Sequence, residues 1–503
     1  MSSNTNSQKW WVFLATALAI VMVDIDITAV NLALTTIEQD LDISMSTVQW
    51  IVDGYMIAAA SLMAFSGKLS DLVGYKEVFL FGLAFFMLAS LMVGIAYAPW
   101  TLIIGRILQG SCIAFTFPIS MVILRSVFPK NQQGFVVGLM VAIAGLAQAL
   151  GPTFGGIVIQ FLNWRYIFYI NIPLSLLALV ISYFAIPKST VIAQKIPKKM
   201  WAVTLFISGL LMVMTALNEI SRWGVGSFTF LSMLLIGMIL IGIFSALELQ
   251  EARPLLDLHL LFQRNFGFLN VLRITLNFVY FTLLFTLSLL LQNIMGYSAL
   301  QAGFILLCLT LVFGVISIPA GKLVDKIGVK KPLEWGMLLL ALSCFLFASV
   351  SISLSFTLIV IALILAGIAV GLSIPASGTA VLFTAPHDKL GAAMGLFFTT
   401  SFIGSSLGVA ISGLMLQILS KNKLHLLLEK NQIVLSSIPL EKLQAMASGL
   451  SPMNSSSLSN LNVVDQLHHM AKDAFTFSFT IIMIFCALLS LMSIFFMRKI
   501  EIN

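Results

Sequence analysis

The sequence predicts an all-α membrane protein: two six-helix halves with two further helices between them, fourteen spans in all. Three observations predict it. The first is composition: of 503 residues, 59% are hydrophobic and 9% charged, with a mean hydropathy of +1.05, whereas a soluble domain carries about 25% charged residues. The second is the number of apolar runs long enough to cross a bilayer, which takes about 20 residues in a helix. The third is an internal repeat, in which glycines, a proline and an acid of the first spans recur at constant spacing in the last ones.

The first six runs cover residues 10–34, 47–66, 78–97, 101–124, 135–160 and 166–186. Two more lie at 200–218 and 228–247, and the last six at 267–292, 300–320, 333–351, 355–380, 391–417 and 474–497. Membrane strands need only about 9–11 residues, so run length selects helices over a barrel. The domains expected are an N-terminal half at 1–187, a basic linker with the two extra helices at 188–266, and a C-terminal half at 267–503 that includes an outer loop at 418–473. Trp10–Leu34 is too long and too acidic for a cleavable signal peptide.

The net charge of +7 fits lysines and arginines gathered on one side of a membrane and needs no nucleic acid to explain it. Lys68, Lys76, Arg125, Lys130, Lys188, Lys195, Lys198, Lys199, Lys322, Lys326, Lys330 and Lys331 all fall on the side of the N-terminus. Both termini are therefore expected in the cytoplasm, in a multi-pass protein of a cell inner membrane. Cys112, Cys308, Cys344 and Cys486 sit inside apolar runs without a C-x-x-C spacing, and read as core residues. No cofactor or metal is expected. His468-His469, with Asp465 and Asp473 near, reads as a solvated helix face before it reads as a metal site.

The repeat is local and specific. Gly67-x-Leu-x-Asp71-x-x-Gly74-x-Lys76 recurs as Gly321-x-Leu-x-Asp325-x-x-Gly328-x-Lys330. Further on, Pro118 pairs with Pro375, Gly134 with Gly391, Gly138 with Gly395, Gly151 with Gly408 and Gly156 with Gly413. Parallel six-helix repeats of this kind build transporters whose substrate site lies between the halves near the midplane. Enzyme signatures such as H-E-x-x-H, G-x-G-x-x-G and the phosphate-binding loop are not found. Without an ATP-binding domain, active transport has to draw on an ion gradient. An integral membrane enzyme or a channel fits these features less well than a transporter does.

Ionisable residues inside spans are costly and mark function. Asp24 and Asp26 lie mid-way along the first span. Asp24, Thr28, Asn31 and Thr35 share one helix face, whereas Asp26 is about 200° round the helix from Asp24. Asp53 opens span 2, Arg106 lies in span 4, and Arg273, two turns into span 9, is placed to snorkel towards the inner surface. Three acids against two arginines leave one negative charge, which a proton or a cationic substrate can neutralise in turn. Tyr55, Phe115, Phe117, Phe154, Tyr280 and Phe285 are candidates to line a cavity that attracts lipophilic cations. Glycines and Pro152 in span 5 suggest a close-packed, deformable seam between the halves. In the signature loop, Asp71 is placed to accept bonds from amides at a nearby helix N-terminus or to pair with a base.

These motifs resemble the major facilitator superfamily, and within it the fourteen-helix drug:proton antiporters. The loop from Gly67 to Lys76 resembles the superfamily signature, with Leu72 and Tyr75 where the family usually carries Arg and a basic residue. Arg106-x-x-Gln109-Gly110 resembles its membrane-arginine motif. Gly145 to Gly156, with Gly151, Pro152 and Gly155, resembles the antiporter motif, with Ala147 where another Gly is often found. Asp26-x-Thr28-x-x-Asn31 and the stretch from Trp164-Arg165 to Asn171-Ile-Pro173 resemble the fourteen-helix branch.

The resemblance implies the major facilitator fold and proton-coupled efflux of amphipathic, cationic compounds by a monomer in the lipid bilayer. Export of one endogenous metabolite, such as a siderophore, is the alternative. It assigns proton coupling to Asp26, Asp24, Asp53 and Arg106. Substrate contacts fall to Asp26, Asp53, Tyr55, Asn31, Gln109, Phe117, Phe154 and Tyr280. Gating falls to Gly67, Asp71, Gly74, Lys76, Gly151, Pro152, Gly155, Gly156, Gly321, Asp325 and Gly328. The family motif maps onto Asp26 and the polar stripe runs through Asp24; Asp26 is the proton carrier expected first, and Asp24 the second candidate.

Overall fold

A computed structural model describes residues 6–43, 45–188, 200–224, 226–251, 254, 256, 258–353, 355–431, 440–448 and 461–497. The side chains of Asn31 and Pro152, and Lys195, Lys198 and Lys199, lie outside the described residues. Among the described residues, fourteen helices are long and apolar enough to cross a membrane.

The first six spans are α1 (Asn6–Leu41), α2 (Met45–Val73), α3 (Tyr75–Gly94), a broken span of α4 (Pro99–Ala114) and α5 (Phe117–Val127), α6 (Gln133–Phe161), and α8 (Asn171–Ala185), which the short α7 (Tyr166–Tyr169) precedes. The break before α5 falls at Pro118, which has no amide to continue the ladder. The extra pair is α9 (Met200–Asn218) and α11 (Phe228–Leu249), joined through the single turn α10 (Ile220–Trp223). After the short α12 (His259–Phe262) come α13 (Arg264–Leu289), α14 (Ala299–Ile327), α15 (Lys330–Ser353), α16 (Phe356–Thr384), α17 (Leu390–Lys430), the short α18 (Leu440–Ala447) and α19 (Leu461–Met497).

The halves meet along two helix pairs, α6 with α14 and α2 with α17. Glycine sets both contacts. A Cβ on Gly134 or Gly138 would run into the backbone of Gly321 or Ser317, and one on Gly391 or Gly395 into that of Gly67 or Met63. Small residues let membrane helices approach this closely. The glycine row of α6 then changes partner. Gly151 and Gly155 lie against Thr28 and Ala29 of α1, in their own half, and Gly408 lies likewise against Phe278 of α13. The expected seam in span 5 is thus carried by Gly134, Gly138 and Gly145, the last of these opening the antiporter motif, and not by Gly151 or Gly155. A straight helix wedged between two neighbours presents different faces to them along its length.

The extra pair crosses tightly at Gly209 and Gly237. Its α9 packs on both α2 and α17, across the line where the halves meet. Residues 418–473, expected as a loop, are largely helical in their described parts. Helix α17 continues to Lys430 and α19 begins at Leu461. Leu424 and Leu428, one turn apart, pack with Leu443, Met446, Leu467, Met470 and Ala471. The apolar run ends near 417, but the 3.6-residue periodicity does not, and α18 gives those leucines something to bury against.

Candidate functional site

Asp26 and Arg106 form the most enclosed charged pair in the described residues. Arg106 Nη1 donates to Asp26 Oδ2 at 2.5 Å, with both side chains almost fully buried. Asn171 Nδ2 donates to Asp26 Oδ1 at 2.8 Å, so both carboxylate oxygens are bonded. Arg106 also donates to Gln109 Oε1 at 3.0 Å and to the Ile51 carbonyl at 3.2 Å. Its guanidinium lies over the Tyr55 ring, 4.0 Å from the centroid. Gly110 makes this possible, because a Cβ there would strike the Tyr55 backbone and push α4 off α2. Gln109 turns away to Ser90 of α3, donating at 2.7 Å. The network links α1, α2, α3, α4 and α8, all of the first half.

Asp24 has a different setting. It is 2% exposed, yet a neutral group is its bonded side-chain partner: Gln148 Nε2 of α6 donates to Oδ1 at 3.1 Å. Oδ2 is buried without a hydrogen-bond partner among the described residues. Tyr280 of α13, in the opposite half, is buried and close enough to feel the Asp24 charge. Two residues of offset send Asp26 to Arg106 and Asn171, and Asp24 to Gln148 of α6, with a residue of the other half in electrostatic reach.

The other sequence candidates are spread along the molecule. Asp53 is half-buried on α2 and within electrostatic reach of Glu219, which follows α9. Phe117 meets Phe398 of α17 edge to face, with ring centroids 5.7 Å apart, across the junction of the halves. Phe154 packs instead into a cluster with Ala29, Val30 and Trp164, near the far end of α1.

The signature loops act as a matched pair. Asp71 Oδ1 and Oδ2 accept from the amides of Gly391 and Ala392, each at 2.8 Å. Asp325 Oδ1 and Oδ2 accept from Gly134 and Phe135, each at 2.8 Å. Each carboxylate caps the first turn of a helix in the other half, where unpaired amides and the helix dipole favour a negative charge. Gly74 and Gly328 end their helices at φ 120° and 82°, a region that side chains disfavour. Lys76 Nζ donates to the carbonyls of Tyr183 and Ile186, at 2.6 and 2.7 Å, and so caps the end of α8. At the opposite end of α1, Asp40 Oδ2 accepts from Arg165 Nη1 at 2.8 Å and Trp164 Nε1 at 3.0 Å. These bonds hold its carboxyl below the usual carboxylate range, Arg165 contributing most.

Sequence reasoning missed Gln148 and Glu219, and named Asn171 only within the fourteen-helix stretch, with no role. Their one signal is a polar side chain within or beside an apolar run, and many such side chains only bond their own helix. Arg273 was expected to snorkel, but it is 6% exposed and turned inward to Ser401 and Ser377.

A family profile described as Major Facilitator Superfamily matches residues 14–250 and 269–423. The chain is 28% identical to the tetracenomycin C resistance and export protein of Streptomyces glaucescens, over 82% of this chain and 77% of that one. It is also 28% identical to the methyl viologen resistance protein SmvA of Salmonella typhimurium, over 88% and 90%. Among solved structures, the proton:xylose symporter XylE superposes with a TM-score of 0.65 at 14% identity, over 98% of this chain and 96% of that one.

Proposed function

The chain belongs to the major facilitator superfamily, and on that premise we propose that it exports amphipathic, cationic compounds in exchange for protons by alternating access. It is a membrane transporter related to drug and antibiotic efflux proteins. One observation carries the finer reading: two carboxylates on one helix, Asp24 and Asp26, have opposite surroundings. Asp26 is neutralised by Arg106 and fully bonded. Asp24 has one neutral partner and a buried oxygen without one among the described residues, with Tyr280 of the other half in electrostatic reach. A charge so placed costs several kcal/mol, and either a proton or a cation removes that cost. Competition for one carboxylate couples the two fluxes. Asp24 is accordingly the exchanging acid, with the Asp26–Arg106 pair fixing the helix that carries it.

The signature-loop end is assigned to the cytoplasm, with both termini, by the lysines gathered there. Asp71 and Asp325 then close the inner gate, and the site opens outward from this state. Purified protein in proteoliposomes tests the function. An imposed proton gradient should drive uphill movement of methyl viologen or tetraphenylphosphonium, abolished by a protonophore and by Asp24→Asn. Equal rates with and without the gradient would exclude proton coupling. Reporters fused at both termini should lie inside the cell and one at Ser455 outside; an external N-terminus would reverse the gate.

A further inference from the structure

Arg273 is a buried cation without a buried anion. It lies nine residues into α13, about 14 Å along the helix at 1.5 Å per residue, near the middle of a hydrocarbon layer about 30 Å thick. Its Nε donates to Ser401 Oγ at 2.7 Å and its Nη1 to Ser377 Oγ at 3.3 Å. The guanidinium lies over the Phe397 ring, 4.8 Å from the centroid. No described carboxylate pairs with it: the ion pairs found are Asp26–Arg106 and Asp40–Arg165. Nη2 donates to no described group. Both serine hydroxyls already donate to carbonyls of their own helices, so they offer the arginine lone pairs but no charge. Buried charges are otherwise paired, and the planar guanidinium fork is suited to a carboxylate or another oxyanion.

The place of Arg273 on α13 says whose anion it takes. Arg273, Asn277 and Tyr280 fall at i, i+4 and i+7, on one helix face, and each is buried. Tyr280 lies within electrostatic reach of the Asp24 charge. In the other direction, two turns back on the same face, Phe266 lines a cavity of about 320 Å³ with Gln263, Arg264, Asn265 and Thr384. That cavity lies at the signature-loop end of α13 and α16, the two helices that carry Arg273 and Ser377. Arg273 thus lies on one face of α13 between the end that borders the cavity and the residue that the Asp24 charge reaches.

We propose that Arg273 recognises an anionic group of the transported molecule, so that the substrate is an amphipathic zwitterion. Its cationic group sits at Asp24 and its ionised acid at Arg273, which lies two turns of α13, about 10 Å, from the Tyr280 that the Asp24 charge reaches. The assignment rests on Asp24 being the cation-accepting acid and adds the second handle.

Rhodamine 110, which carries a free carboxylate, and rhodamine 123, its methyl ester, separate the two handles. Binding is read by fluorescence polarisation with purified protein in chloride-free buffer. Wild type should bind the acid at least tenfold more tightly than the ester. Arg273→Gln should bring the acid down to the level of the ester and leave the ester unchanged, and Arg273→Lys should keep part of the preference. Equal affinities in wild type, failure to bind the acid, or a parallel loss of both dyes in Arg273→Gln would each overturn the proposal. The wild-type comparison decides alone if the variant does not fold. Proton release on binding rhodamine 123, present in wild type and absent in Asp24→Asn, tests the Asp24 reading separately.

Discussion

Asp26 Oδ2 lies 2.5 Å from Arg106 Nη1, with each side chain sealed from solvent. The pair lies inside one half of the protein. Removing one partner of such a pair leaves the other charge buried and uncompensated, at a cost of about 3–5 kcal/mol. Asp26→Asn is therefore expected to lower the thermal unfolding temperature in detergent markedly, and Arg106→Gln by a similar amount. Asp24→Asn should leave it unchanged or raise it, since an amide can keep the Gln148 bond without a charge. Equal stability of the two Asp variants would disprove this division of roles.

The same two variants differ in proton traffic. Substrate-induced proton release, measured in detergent between pH 6 and 9, should vanish in Asp24→Asn. In folded Asp26→Asn protein it should persist, reduced by the disturbed helix. Release that survives in Asp24→Asn and disappears in Asp26→Asn would return the coupling role to Asp26. If both variants release normally, Asp53, within electrostatic reach of Glu219, is the acid to test.

Asp71 and Asp325 each hold two amides of a helix in the other half. Hydrogen bonds to a charged group contribute about 1.5–3 kcal/mol, and 1.4 kcal/mol is a factor of ten in an equilibrium. Asp71→Asn or Asp325→Asn alone should shift the population towards the state open at the signature-loop end by tenfold or more. Together they should shift it further. Spin-label distances between the start of α17 and the end of α2 measure this. An unchanged distance distribution in the double variant would remove both aspartates from the gate.

A close-approach test is independent of charge. Gly391→Ala places a Cβ against the Gly67 carbonyl, whereas Gly242→Ala meets nothing within 4 Å. The first should open the same junction in the spin-label measurement and slow transport, and the second should do neither.

At the far end of α1, Asp40 is held below the ordinary carboxylate range by Arg165 and then Trp164. A depressed folded-state value stabilises the fold above the unfolded value, near 3.9. That contribution fades as pH falls through the lower folded one. The gap in unfolding temperature between wild type and Asp40→Asn should be constant from pH 7 to 5 and shrink below about pH 4. A gap independent of pH down to 2 would mean the carboxylate charge contributes nothing there.

The sequence by itself determined the fourteen spans, the superfamily and the matched Gly67–Lys76 and Gly321–Lys330 loops. Each is encoded locally: a span is a run of apolar residues, and a signature loop is a fixed spacing of Gly and Asp. The sequence also placed two acids in α1 and put them on different helix faces. It did not say which face met Arg106 and which met the other half, because helical periodicity gives relative angles but no neighbours. Only the tertiary structure decided that Asp26 meets Arg106 and Asn171, 80 and 145 residues away, while Asp24 meets Gln148, with Tyr280 of the other half in electrostatic reach. It also decided that Arg273 turns inward to two serines rather than out to the surface. A long side chain mid-helix can reach water or a neighbouring helix, and the packing of α16 and α17 against α13 closes the first route.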